Sequence, residues 1–244
     1  MAHVDIETDI DPTGATLVEG LPGAGLVGKI AADHLVDTFE MDYAGSIYCD
    51  GIPEVAVYHS EDSELLPPVR IYADGEHDLL VLQSDVPISP ERAADFSDCV
   101  TAFVHEYDIT PFYLSGLPGE KDGVPDLYGV ASGGAIDRLD EAGVVPPREG
   151  GLVSGPTGAL LAAAERQDIP AIGLVVETEA KFPDPEAARV VISSGIEPLT
   201  DIEVPTDDLV EHAEEIRQAR EQLAQRMEEA EEESSQAQPI KGFQ

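Results

Sequence analysis

The stretch ATLVEGLPGAGLVGKIAADHLVDTF, residues 15–39, decides the fold class. It begins with a short β-rich apolar run at 15–19, and residues 26–39 have the apolar spacing of an amphipathic helix. A glycine-rich turn, residues 20–28, joins the two. A strand that leads through a tight turn into a helix is the repeating unit of α/β proteins, so this stretch predicts an α/β fold.

The same alternation of strands and helices continues over the first 200 residues. Helices are predicted at 26–39, 90–107, 157–167 and 185–194, and Pro90 and Pro185 suit the first turn of a helix. Strands are predicted at 15–19, 46–50, 54–59, 69–73, 78–83, 111–115, 127–131 and 171–176. This order predicts a core domain, residues 1–204, with a mixed β-sheet covered by helices on both faces.

The composition changes after residue 204. An amphipathic helix is predicted at 205–233, with apolar residues at alternating four- and three-residue steps. Such a seam suits either self-association or packing on the helix's own domain, and the sequence leaves both open. The chain is acidic and polar from residue 228, and residues 234–244 are predicted to form a flexible tail that is polar at 234–238 and apolar at its end, 239–244.

The charge of the chain is strongly negative. Fifty Asp and Glu face 13 Lys and Arg, which gives a net charge of −37 at pH 7. We interpret this as adaptation to a halophilic, salt-rich cytoplasm, because molar salt screens the self-repulsion of such a surface. The same field argues against nucleic acid and against anionic membranes as partners. The N-terminus has no signal-peptide pattern, and we expect a cytoplasmic protein.

No set of residues assembles into a recognisable catalytic group. Cys49 and Cys99 lie singly in apolar stretches and are expected to be buried, reduced thiols, and the six histidines are scattered. Glu177 and Glu179 follow a predicted strand and suit either an acid/base pair or a solvated strand end. No nucleophile accompanies them, and we expect neither an enzyme nor a bound cofactor.

The glycine-rich turn is the strongest candidate for a ligand site. Gly23, Gly25 and Gly28 match the dinucleotide pattern G-x-G-x-x-G, and Asp50 stands where a ribose-binding acid is expected. Residues 23–29 also match G-x-x-x-x-G-K, but Ile30 replaces the magnesium-binding Ser or Thr. One alternative is a nucleoside- or nucleotide-binding enzyme or regulatory module that uses this crevice loop. The other is a tight turn without a ligand.

Seven ordered segments carry a family resemblance. They are residues 21–28, 51–57, 65–71, 114–119, 128–133 and 155–161, and the pair 177–179 and 182–185. Together they resemble the archaeal branch of the proteasome assembly chaperone family over roughly residues 13–200.

The resemblance implies a fold like that of purine nucleoside phosphorylases, without an established enzymatic activity. It also implies a homo-oligomer that binds proteasome α subunits, either to assist assembly of the 20S core particle or to dock on it. Some members of the family end in a hydrophobic–tyrosine–any-residue tail. Here Phe243 stands for the tyrosine, Gln244 supplies the carboxylate, and Gly242 departs from the hydrophobic position. The partner-binding residues implied are Ile240, Phe243 and Gln244.

Overall fold

The computed structural model describes residues 3–6, 11–50, 52–58, 63–119, 123–179 and 181–209. Eight strands in these ranges form one sheet in the order β1-β3-β4-β5-β2-β6-β8-β7. Their bounds are β1 His3–Ile6, β2 Thr16–Gly20, β3 Asp42–Tyr48, β4 Val69–Asp74, β5 Leu79–Ser84, β6 Thr110–Pro118, β7 Leu127–Ser132 and β8 Ala171–Thr178.

The centre of the sheet is parallel and its flanks are antiparallel. Strand β2 pairs in parallel with β5 and β6, and β6 pairs in parallel with β8. On the flanks, β1, β3, β4 and β5 follow one another antiparallel, and β7 is antiparallel to β8. The carboxyl ends of β5, β2, β6 and β8 therefore lie at one edge, where ligand crevices form in open α/β sheets.

Helices cover both faces of the sheet, because alternate residues of the central strands point to opposite sides. Val18 and its neighbours pack with α1 (Val27–Thr38), α3 (Ile136–Glu141) and α5 (Pro185–Val191). Leu17 lies on the other side, in a core that includes residues of α2 (Ala93–Glu106) and α4 (Gly155–Arg166). A π-helical turn, Ile192–Ile196, and the short α6, Glu197–Thr200, follow α5.

The predicted fold class, a mixed sheet with helices on both faces, is confirmed. The strand predicted at 54–59 is wrong for its described residues, because they contribute only a single bridge, Val57 to Leu66. The strand predicted at 46–50 begins earlier, as β3, and β1 and α3 were not predicted. Cys99 is buried and Cys49 is half-buried, both as free thiols.

Residues 207–209 are helical. Residues 205 and 206, where the predicted helix was to begin, are not helical, and residues 210–233 and the whole tail at 234–244 lie outside the described residues. No helix in the described ranges has the length and apolarity needed to cross a membrane.

Candidate functional site

The glycine-rich turn lies between β2 and α1, at the carboxyl edge of the parallel strands. A short 3₁₀ turn, Ala24–Leu26, links the two elements, with Gly25 at φ +64°. A Cβ atom on Gly25 would lie 2.1 Å from Oγ1 of Thr178, at the end of β8. Glycine is therefore required here by its backbone conformation and by close packing against the neighbouring strand.

The segment between β8 and α5 closes over this turn. The backbone N–H of Asp184 donates to the carbonyl oxygen of Gly25 at 2.8 Å. The Asp184 carboxylate accepts from the Thr178 hydroxyl at 2.9 Å and caps α5 through the backbone N–H of Ala187 at 3.1 Å. A buried carboxylate thus stands beside the turn, and a carboxylate is an unfavourable neighbour for a phosphate.

The three predicted crevice glycines do not face a common space. Gly23 is exposed, whereas Gly25 is buried against Thr178. Gly28 is buried with the carbonyl oxygen of Leu21 only 3.2 Å from the place of a Cβ atom. The backbone N–H of Leu26 already donates to the carbonyl oxygen of Gly23. This arrangement fits a packing turn better than a phosphate cradle, although a ligand for the turn stays a prediction to be tested.

The expected ribose-binding acid is displaced from the turn. Asp50 follows β3, which is separated from β2 by β4 and β5 in the sheet order. Three strand spacings correspond to about 14 Å. In the dinucleotide-binding fold the strand that carries the ribose-binding acid lies next to the strand before the glycine turn. The sheet order found here does not place Asp50 in that position.

Lys29, the lysine of the G-x-x-x-x-G-K pattern, is bound within the protein. Its ammonium group pairs with Asp33 at 3.0 Å and with Asp85 at 3.3 Å. Asp85 also pairs at 2.7 Å with Arg70, whose side chain is fully buried. Burial alone would raise the pKa of Asp85, but the two cations outweigh burial and lower it. Both cations are thus engaged by internal carboxylates.

Glu19, at the end of β2, is an acid buried between the sheet and α4. Its carboxylate accepts from the backbone N–H groups of Leu21 and Leu114, at 3.2 Å and 3.0 Å, and from the Thr157 hydroxyl at 3.1 Å. Burial raises the pKa of Glu19 to about 7, and the three donors limit the rise. These contacts connect β2, β6 and α4. In the sequence Glu19 is one acid inside an apolar run, and no motif there marks it as a site.

A groove lies on the α4 side of the edge strand β7; we call it the β7 groove. Its volume is about 420 Å³. Three strands and the loop before α4 supply its apolar wall, which comprises Leu117, Val130, Leu152, Val153 and Val175. Leu117 is 45% exposed and Leu152 is 86% exposed. Large apolar side chains this open to water mark interaction surfaces when they adjoin a cavity.

The polar wall of the β7 groove is dominated by carboxylates. Glu177 is half-buried and accepts from the Tyr128 hydroxyl at 3.4 Å and from the backbone N–H of Asp126 at 3.3 Å. Arg148 also lines the groove, but it pairs with Asp126 at 3.0 Å. Within the described ranges Glu177 makes no ion pair. Its partial burial without a cation favours a positively charged ligand group at this end of the groove.

The structure brings together few of the residues that the sequence analysis named. Glu177 lies in the groove, whereas Glu179 donates its backbone N–H to Asp184. No cluster of three or more metal-ligating side chains occurs in the ranges that the structure describes. The implied partner-binding residues Ile240, Phe243 and Gln244 lie outside those ranges. The groove itself was not predicted, since its residues meet only through the order of β6, β8 and β7.

Comparisons with known proteins give consistent relatives. A model of the PAC2 family matches residues 17–224. The uncharacterized protein MJ1210 of Methanocaldococcus jannaschii is 28% identical over 221 residues, which are 88% of this chain and 85% of the relative. A second protein of that organism, MJ0106, is 28% identical over 210 residues, 86% of this chain and 85% of the relative.

Solved structures with the same fold include two proteins of Pyrococcus furiosus. PbaA, described as an archaeal homologue of proteasome-assembly chaperone, superposes with a TM-score of 0.78 at 24% identity, covering 95% of this chain and 96% of PbaA. PbaB, described as an archaeal proteasome activator, has a TM-score of 0.75 at 22% identity, covering 91% and 98%. Because the family model spans most of the sequence, the chain belongs to the PAC2 family.

Proposed function

We propose that this chain is a non-catalytic chaperone or adaptor that binds proteasome α subunits and assists assembly of the 20S core particle or docks on it. The family match over residues 17–224 carries the proposal. Support comes from the fold shared with PbaA and PbaB, whose descriptions name proteasome assembly and proteasome activation. The internally satisfied glycine turn also supports a role other than nucleotide turnover.

The proposal has a specific architecture. Residues 1–204 form the core, which is related to the purine nucleoside phosphorylase fold and forms a homo-oligomer. Residues 205–233 form a projecting helix, and residues 234–244 present the tail. The setting is a salt-rich cytoplasm. Several tails on one oligomer would raise the effective concentration of a weak contact, and a single buried aromatic ring contributes only about 1.5–3 kcal/mol.

Co-purification with the host proteasome tests the role of the tail. Native lysate is passed at high salt over immobilised full-length chain, a Phe243→Ala variant and a variant lacking residues 242–244. We expect the full-length chain to retain α subunits and both variants to lose them, with unchanged oligomer mass as the control for folding. Restoring a hydrophobic residue at Gly242 should tighten the contact. Equal retention by all variants would place the contact on the folded core instead.

Calorimetry with ATP, GTP, NAD and nucleosides at high salt tests the alternative reading of the glycine turn. We expect no binding tighter than about 0.1 mM, since the internal contacts of Gly25 and Lys29 leave no evident phosphate cradle. Micromolar binding that a Gly25→Val substitution abolishes, in a variant shown to be folded, would favour a nucleotide-using enzyme or regulatory module.

A further inference from the structure

The β7 groove combines an apolar wall with a carboxylate that has no cation of its own in the described ranges. Leu152 and Leu117 leave apolar surface open to water, and Glu177 sits half-buried at the same cavity. The two hydrogen bonds that Glu177 accepts, at 3.3 Å and 3.4 Å, are long and hence weak. The matching occupant is a segment with a large apolar side chain close to one positive charge.

The chain contains such a segment at its own C-terminus. Residues 239–244 read PIKGFQ, in which Lys241 stands between Ile240 and Phe243. The chain has only four lysines, and the one other lysine flanked in this way by two large apolar residues, Lys29, is already paired with Asp33 and Asp85. The segment therefore offers both groups that the groove lacks.

The distance along the chain allows the contact within one molecule. About 30 residues separate Leu209, the last described residue, from Pro239. Even if all of them were helical they would span about 45 Å, at 1.5 Å per residue. A compact domain of about 200 residues has a radius of gyration near 17 Å and hence a diameter of about 43 Å. A linker of this length that bends around the core can bring residues 239–244 to the β7 groove.

We propose that the β7 groove binds residues 239–244 of the same chain. The Phe243 ring packs on the apolar wall formed by Leu117, Leu152 and Val175, and the Lys241 ammonium group pairs with Glu177. The contact can be weak, because a tethered segment has an effective concentration of about 1 mM. A dissociation constant of about 1 mM in solution would then keep the groove half occupied, and the segment would be released when a tighter site competes for it.

This inference concerns the segment to which the proposed function assigns proteasome docking, but its test contains no proteasome, so each can fail alone. The probe is a fluorescein-labelled peptide of residues 238–244, added to a variant that ends at Ala237. Fluorescence anisotropy is measured at the lowest KCl concentration at which the protein stays folded. We expect a dissociation constant of about 0.1–1 mM. The full-length chain should bind the peptide more weakly, because its own tail occupies the groove in at least half of the molecules. The apparent dissociation constant should therefore be at least twofold higher than for the shortened chain.

Matched variants separate the groove from general charge and hydrophobicity. Leu152→Ser should weaken peptide binding at least threefold, whereas Leu65→Ser, at a side chain 67% exposed elsewhere, should leave it unchanged. Glu177→Lys should weaken binding of the natural peptide and strengthen binding of a peptide carrying Lys241→Glu. The same change at the exposed Glu165 of α4 should do neither.

Three outcomes would overturn the proposal. The first is no binding of the peptide to the shortened chain below about 10 mM. The second is equal loss with the groove variants and their controls, which would indicate a non-specific contact. The third is competition by the tail that grows with protein concentration, which would assign the segment to the groove of a second copy. Competition that is independent of protein concentration, measured where light scattering gives the mass of a monomer, supports the contact within one chain.

Discussion

Glu19 places an acid where the protein otherwise keeps apolar side chains. Only 1% of its surface is exposed, yet three donors, from the turn after β2, from β6 and from α4, converge on its carboxylate. Because burial disfavours the charged form, the folded protein holds the proton of Glu19 more tightly than the unfolded chain does. The residue thus joins three elements, and its contribution to the free energy of unfolding depends on pH.

Glu19→Gln should change the pH dependence of folding. The folded pKa of about 7 lies above the ordinary value of 4.5, so the stability contributed by Glu19 is complete below pH 4.5 and falls as the pH rises through 7. Between pH 4.5 and 7 the parent should therefore lose up to about 3 kcal/mol of unfolding free energy relative to the variant. Chemical denaturation in molar KCl measures the difference.

The control for this prediction is Glu165→Gln, at an exposed acid on α4. Its unfolding free energy should run parallel to that of the parent across the same window. If the Glu19→Gln curve is also parallel to the parent, Glu19 has the same pKa in the folded protein and in the unfolded chain, and the buried environment described for it is wrong.

At the scale of elements, the sequence predicts most of the helices and strands, but it does not predict which strands are neighbours in the sheet. The run at 15–39 identifies β2, the turn and α1, because the apolar period changes from a strand to a helix across the glycines. The error at 54–59 has a physical cause. The flanking Pro53, Pro67 and Pro68 lack backbone N–H donors, and among the described residues Val57 forms a β-bridge with Leu66 alone.

The candidate sites depended on strand order, which the sequence did not provide. Asp50 lies two residues after the end of β3, and β4 and β5 intervene between that strand and the glycine turn. Leu117, Tyr128 and Glu177 are far apart in sequence and meet because β8 lies between β6 and β7. A single sequence shows which segments are strands, whereas side-chain packing across the whole sheet selects their neighbours.

Asp184→Ala tests the connection between the glycine turn and α5. The substitution removes the cap on Ala187 and leaves the buried Thr178 hydroxyl without its carboxylate acceptor. A lost cap costs about 1 kcal/mol and an unsatisfied buried group about 1–3 kcal/mol, so we expect a loss of about 2–4 kcal/mol in unfolding free energy. Denaturant titration measures it.

The matched variant is Asp184→Asn, which keeps one carbonyl oxygen for the cap and should lose less stability than the alanine variant. An alanine variant as stable as the parent would show that the Asp184 contacts do not hold the turn, and the structural role assigned to it would fail.

At the scale of the whole molecule, the net charge of −37 dominates. Self-repulsion of this size weakens the compact state in dilute buffer, whereas the screening length falls to about 3 Å in 1 M salt. We therefore expect the melting temperature to rise strongly between about 0.1 and 3 M KCl. Circular dichroism follows the transition.

A variant with fewer negative charges tests whether charge repulsion causes the salt dependence of the melting temperature. Changing the exposed Glu106, Glu141 and Glu165 to Gln should raise the melting temperature at low salt and reduce its salt dependence. A melting temperature of the parent that is indifferent to KCl would remove the basis for a salt-adapted protein.

Binding to isolated α subunits is the most direct test of the proposed function. Purified α subunits of the host 20S proteasome are mixed with the full-length chain in molar KCl, and the masses of the species are measured by light scattering after size exclusion. The account predicts a complex that contains both chains and is lost with Phe243→Ala, while the oligomer of the variant is unchanged. α subunits that elute at their own mass, with a folded chain eluting separately at concentrations up to about 0.1 mM, would contradict it.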